Sequence, residues 1–239
     1  MEKDFINYTK EGIGDDVLFL HGWGGDKNSF KAIYSKLQDI SYTAVDLWGF
    51  GKSPLSDPNG FSVIDYADKL ADFIKSQNYK NLTVVGHSFG GRIAVVLAAN
   101  YPQLINKLVL TDAAGLKRFK LKVFLKVLRY KTKKRFFKKT DPSKHASADY
   151  NAAKGALRAT LIKTVKQDLS KFAKKIKCPT LIVWGEKDTE TPLWIAKKYK
   201  RLIKDSGLVV IKNAGHFCFL EDVNLYTRVL SCFIKGERQ

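Results

Sequence analysis

Acidic residues are scarce in this chain: 23 Asp and Glu stand against 42 Lys and Arg, a formal net charge of +19. An excess of that size raises the question of a polyanionic partner. Its distribution argues otherwise. Residues 116–177 hold 21 Lys/Arg and three acids (Asp141, Asp149, Asp168), leaving 21 basic and 20 acidic groups for all the rest. One stretch is strongly cationic and the remainder is nearly neutral, as expected for a separate structural unit. No nucleic-acid motif accompanies the charge, so no nucleic-acid partner is expected. Cysteine is scarce too. Cys178, Cys218 and Cys232 are odd in number, scattered and without ligand spacing, which points to a reduced, cytoplasmic setting and to no metal. No run approaches the roughly 20 apolar residues of a bilayer span. The polar opening Met1-Glu2-Lys3-Asp4 has no apolar secretory core, so no signal segment is expected. What is present is an apolar fraction of 45% in 239 residues, enough for one large α/β domain or two small ones.

Short β-branched apolar runs alternate with helical patterns. Strands are expected near Phe5–Thr9, at Val17–His21, Tyr42–Asp46, Leu82–Val85, Leu108–Leu110, Thr180–Trp184 and Val209–Ile211. Helices are expected over Asn28–Leu37, Val63–Ile74, Ile93–Asn100, Leu193–Ile203 and Asp222–Phe233. The alternation predicts an α/β fold, a mostly parallel central sheet with helices on both faces. Its working site should lie at the carboxyl ends of the strands. Residues 116–176 interrupt the alternation, and the reading is a helical, strongly basic cap inserted in a core made of 1–115 and 177–239. Within the cap, Leu121, Phe124, Leu125 and Leu128 share one helical face, and Ala152–Lys166 and Leu169–Lys175 are further helical pieces.

The chemistry centres on Gly86-His87-Ser88-Phe89-Gly90, a G-x-S-x-G between an apolar strand and an apolar helix. A turn that sharp lifts the Ser88 hydroxyl to a helix N-terminus, where the Phe89 N–H and the helix dipole favour developing negative charge. A serine hydroxyl needs an adjacent base. Of four histidines, His87 should point away from the hydroxyl, His145 lies in the cap, and His21 either braces neighbouring loops or touches substrate. His216, in the loop after the last strand, is the candidate base. Asp188, after Thr180–Trp184, is the candidate acid that would orient it, with Asp112 as the alternative and Glu186 as a solvated or cap-contacting group. The second oxyanion donor should come from His21-Gly22-Trp23-Gly24-Gly25, with the Trp23 N–H the natural choice.

Taken together and in order, HGWGG, DLWGFGKS, GHSFGG, VWGEKD and NAGHF resemble the α/β-hydrolase superfamily over nearly the whole chain. The resemblance implies a Ser88–Asp188–His216 triad, an oxyanion hole from Trp23 and Phe89, and a helical cap that forms the substrate pocket. It implies a structural role for Asp46–Ser53. The unusual charge of the cap is a departure from the family pattern, and substrate contacts do not transfer. The expected activity is that of a serine hydrolase, a carboxylesterase for small or medium acyl esters needing no cofactor. C–C-bond hydrolases, a lyase of menaquinone synthesis, thioesterases and aminopeptidases share the triad, and Arg92 with the basic cap would suit an anionic substrate of that kind. A non-catalytic protein that docks on an anionic surface is the alternative outside enzymes. The stretch Lys117–Lys139, with 12 Lys/Arg and no acid, would in either case suit peripheral contact with an anionic membrane. The oligomeric state does not follow from these residues.

Overall fold

The runs at Val17–Leu20, Leu82–Val85, Leu108–Leu110 and Leu181–Trp184 have no polar side, and such strands are stable only when both faces are covered. The computed structural model describes residues 5–117 and 153–236, and it places these runs in the middle of a seven-stranded sheet. In chain order the strands are β1 (Tyr8–Gly12), β2 (Asp15–Leu20), β3 (Ile40–Val45), β4 (Thr83–His87), β5 (Lys107–Thr111), β6 (Thr180–Gly185) and β7 (Ser206–Ile211). In space they run β1-β3-β2-β4-β5-β6-β7. All neighbours are parallel except β1, which lies antiparallel along β3 at the edge.

Register sorts the core into two layers. Leu18, Val84 and Leu108 sit side by side across three strands, as do their successors Phe19, Val85 and Val109. Successive residues of a strand face opposite ways. The first set packs beneath α2 (Val63–Ser76), α3 (Ser88–Asn100) and α6 (Trp194–Leu202). The second packs beneath α1 (Lys31–Tyr34), α7 (Cys218–Glu221) and α8 (Val223–Lys235). The start of α2 is set by a reciprocal capping box between Ser62 and Asp65. The chain order reverses between β2 and β4, the place in an open α/β sheet where loops diverge and leave a crevice at the carboxyl end.

Between β5 and β6 the described part of the inserted segment contains α4 (Gly155–Lys166) and the short α5 (Ser170–Ala173). Three contacts fix α4 to the core. Thr160 Oγ1 accepts from the Phe61 N–H at 2.9 Å, Lys163 Nζ donates to the Gly60 carbonyl at 2.7 Å, and Arg92 Nη1 donates to the Thr164 carbonyl at 2.7 Å. The apolar face at Leu121–Leu128, the basic stretch Lys117–Lys139 beyond Lys117, and residues Asp141 and His145 lie outside the described residues. No helix among the described residues is long and apolar enough to cross a membrane.

Several sequence expectations need correction in their bounds: the helical pieces expected at Ala152–Lys166 and Leu169–Lys175 are Gly155–Lys166 and Ser170–Ala173, the strand expected at Tyr42–Asp46 is Ile40–Val45, and four further differences have a physical cause. The helix over Asn28–Leu37 shrinks to Lys31–Tyr34 because Asp26, Asn28 and Ser29 turn the backbone into local bonds: the Asn28 N–H to Asp26 Oδ1 and the Asp26 N–H to Ser29 Oγ. Conversely, α3 begins at Ser88, five residues before the expected Ile93, because its glycines answer to crowding. A side-chain carbon on Gly91 would stand 2.4 Å from Ala113 Cβ. The first strand is Tyr8–Gly12 and the last begins at Ser206, since pairing with β3 and β6 sets those bounds where side-chain pattern is weak.

Candidate active site

Ser88 stands at the end of β4 with φ +47°, a left-handed conformation uncommon for a residue with a side chain. Only glycines fit around such a corner. A Cβ on Gly86 would stand 2.7 Å from the Gly90 carbonyl oxygen, and one on Gly90 would stand 2.2 Å from that of Leu20. The Gly90 N–H donates to the His21 carbonyl at 3.1 Å, which ties the corner to the end of β2.

The Ser88 hydroxyl lies 3.0 Å from His216 Nε2, and His216 Nδ1 lies 2.9 Å from Asp188 Oδ2. Three residues separated by up to 128 positions thus form one hydrogen-bonded chain, with the hydroxyl donating to Nε2 and Nδ1–H to the carboxylate. Asp188 is held by more than its histidine. Its Oδ1 accepts from the backbone N–H groups of Glu190 and Thr191 at 2.8 and 2.9 Å, and its Oδ2 from the Thr191 hydroxyl at 2.6 Å. Burial favours the neutral acid, but the bonds from His216 and Thr191 outweigh it and keep the carboxyl below its ordinary range. For His216 burial opposes the cation, and the Asp188 bond and charge, with Glu190 and Asp112 behind, outweigh that and raise its pKa.

The loop carrying His216 is pinned on every side. Asn213 adopts φ +62° and donates its N–H to Glu186 Oε2 at 3.0 Å, the Gly215 N–H meets the Glu221 carboxylate at 2.9 Å, and Lys187 N–H reaches the Ala214 carbonyl. Glu186 is therefore a brace of the base loop. The His87 ring is bonded to the base loop rather than to the Ser88 hydroxyl: its Nε2–H donates to the His216 carbonyl at 2.8 Å. Burial pushes the His87 pKa down to about 3, so the ring stays neutral.

The alternative acid does not meet the base. Asp112 is fully buried, accepting from the Gly185 N–H at 2.8 Å and the Cys218 N–H at 3.4 Å, and burial pushes it up to about 7. It ties β5 to β6 and α7. His21 is 1% exposed; its Nδ1–H donates to the Gly22 carbonyl at 2.7 Å and its Nε2 accepts from the Leu47 N–H at 3.0 Å. With both nitrogens on backbone it has none for a substrate, which corrects that expectation in favour of the bracing role. Asp46 is likewise a brace, accepting from the N–H groups of Lys27 and Lys52 and from Asn7 Nδ2.

Two cavities flank Ser88, of about 330 and 210 Å³. Both touch Trp23, Ser88 and Glu190. Arg92 lines the smaller beside Leu161 and Val165, and burial lowers its pKa. The Trp23 and Phe89 N–H groups have no protein acceptor among the described residues. The Trp23 indole packs edge-on against Phe89 and Phe50, at 5.2 and 5.0 Å between ring centres. Among the described residues no group of three or more His, Cys, Asp or Glu is placed to hold a metal ion. Thr191 and Glu190 escaped the sequence reading. Their only signal is position, three and two residues past Asp188 respectively, in a turn that must supply donors to a carboxylate.

A family profile described as alpha/beta hydrolase fold matches residues 16–142, and one described as TAP-like protein matches residues 159–228. Lipase 3 of Moraxella sp. (strain TA144) is 28% identical over 233 residues, 88% of this chain and 74% of that protein. A 2-hydroxy-6-oxo-6-(2'-aminophenyl)hexa-2,4-dienoic acid hydrolase of Metapseudomonas resinovorans is 28% identical over 245 residues, 90% of this chain and 82% of that one. Among solved structures, the esterase EaEST from Exiguobacterium antarcticum superposes with a TM-score of 0.76 at 27% identity, covering 96% of this chain and 95% of that one. Sheet order, elbow and sequence agree: the chain belongs to the alpha/beta hydrolase fold family and is a hydrolase.

Proposed function

We propose that the protein hydrolyses carboxylic esters of small or medium acyl chains through a serine acyl-enzyme. The observation that carries this reading is the unbroken bond chain from Ser88 Oγ through His216 to Asp188, beginning at a strained corner over a helix N-terminus. His216 Nε2 takes the hydroxyl proton as Oγ attacks the ester carbonyl. The Phe89 and Trp23 N–H groups receive the oxyanion, the kind of donor whose loss costs about 100- to 1,000-fold in rate. Asp188 keeps the proton of the resting imidazole on Nδ1 and stabilises the cation that forms. The intermediate collapses by expelling the alcohol, which takes the Nε2 proton. Water then attacks the acyl-enzyme with the same base assisting, and the acid leaves as Ser88 regains its proton. The lipase and esterase relatives support an ester as the bond cleaved. We read residues 116–176 as a cap whose α4 side chains Leu161 and Val165 close one wall of the pocket.

A fluorophosphonate probe and a p-nitrophenyl ester series test this. The wild type should gain one phosphonyl adduct and turn over short and medium esters, and Ser88→Ala should do neither. Labelling without turnover across the whole series would shift the reading to C–C or other acyl chemistry. No labelling of folded wild type would end it.

A further inference from the structure

Among the described residues, Glu190 is the one acidic side chain that reaches both cavities beside the serine. Its Oε2 stands 3.4 Å from His216 Nε2, while its side chain is 66% exposed. The two cavities are not equivalent, because His216 lines the larger and is absent from the lining of the smaller. Whichever group departs must collect the Nε2 proton, so it departs on the side where Nε2 is open. The larger cavity, rimmed by His216, Phe217 and Leu220, is then the leaving-group side. The smaller, with Phe89, Leu161 and Val165, is the acyl side. From these placements we propose that Glu190 sets the charge preference of the leaving group: its carboxylate admits neutral and cationic alcohols or thiols and repels anionic ones. The inference rests on the acyl-transfer reading above.

Two fields compete here. The net charge of +19 draws anions toward the molecule from a distance, but screening cuts exposed charges off within about 8 Å at physiological ionic strength. A charge two carbons beyond the departing atom comes within roughly 6 Å of Glu190, inside that length, so the local carboxylate decides.

The test uses three thioesters of one acyl group that differ only in the thiol released: thiocholine (cationic), 2-mercaptoethanol (neutral) and 2-mercaptoethanesulfonate (anionic). The readout is the ratio of kcat/KM for the cationic to the anionic ester, which cancels differences in folding or active fraction. Glu190→Gln should lower that ratio about three- to twentyfold relative to wild type, as expected for unit charges near 6 Å in a largely aqueous medium. The drop should shrink in 1 M salt. Glu186→Gln removes the same charge four residues earlier in the chain, outside both cavities, and should leave the ratio where it was. An unchanged ratio in Glu190→Gln, or an equal change in Glu186→Gln, overturns the assignment. If no thioester or ester is turned over by wild type, the acyl-transfer reading itself has failed, and that result is distinct from either.

Discussion

Replacing Thr191 by Val would separate what holds the acid in place from what lowers the barrier. The hydroxyl lies 2.6 Å from Asp188 Oδ2, 3.0 Å from the Asp112 carbonyl oxygen and 3.3 Å from His216 Nδ1. It has one proton to give, and the nearest and only charged acceptor takes it. Valine keeps the shape of the side chain and deletes that bond. A hydrogen bond to a charged group contributes about 1.5–3 kcal/mol net, so Thr191→Val should lose about that much stability at neutral pH. Asp188 is ionised in both the resting enzyme and the transition state, so most of the loss is common to both. The fall in kcat/KM should therefore stay within about tenfold, compared with roughly 10,000-fold for a triad acid turned into an amide. The sign with pH follows from the lowered pKa of Asp188. Its stabilisation is present above the unfolded value near 3.9 and disappears as pH falls through the folded value. Thr191 helps produce that lowering, so the deficit of the variant should be full at pH 7 and contract toward pH 3. Urea unfolding of both proteins across that range, with ester hydrolysis at pH 7, measures each quantity. A pH-independent deficit, or a kcat/KM loss beyond about a thousandfold in a folded variant, would refute the reasoning.

Gly90→Ala puts a carbon 2.2 Å from the Leu20 carbonyl oxygen, so either β2 or the first turn of α3 must move and take the Phe89 N–H with it. A rate loss of about 100-fold or more is expected, read as kcat on a p-nitrophenyl ester, together with a lower Tm. The acidic limb of kcat/KM should lie above the ordinary histidine value of about 6.5, because the pKa of His216 is raised and only its neutral form accepts the serine proton. A pH–rate profile checks this. Asp188→Asn should abolish nearly all turnover, whereas Asp112→Asn should retain a much larger share, since Asp112 touches Gly185 and Cys218 rather than the base. Asp112 is pushed up to about 7, so its contribution to stability is greatest below the unfolded value near 3.9 and is lost as pH rises through neutrality. Asp112→Asn should flatten that part of the stability curve in urea titrations.

The elements legible in the sequence were those whose pattern and environment agree. Val17–Leu20 and Leu82–Val85 are apolar on both faces because the sheet is covered on both, and Ser88 and Asp188 each follow a strand that announces itself. Where local bonding competes with periodicity the reading failed, as at Asp26–Ser29, whose side chains cut the expected helix to four residues. It also failed where tertiary crowding overrides propensity: Gly90 and Gly91 look like helix breakers, yet they sit in the first turn of α3 because nothing larger fits. Glu190 and Thr191 carry no pattern of their own. Their importance arises only once β6 and β7 lie side by side and bring His216 over the turn after Asp188.

The bond from His87 to the His216 carbonyl has a consequence for how the enzyme fails. The last strand lies at the margin of the sheet and is only half covered along most of its length, so thermal fraying starts there more easily than in the middle. Fraying would carry the imidazole off its alcohol while the remaining strands stay paired. The residue next to the nucleophile clips the two together across that gap, 129 positions apart along the polymer. Cutting the clip with His87→Ala should make heat inactivation run ahead of the loss of helical circular dichroism, a gap that the intact protein keeps narrow.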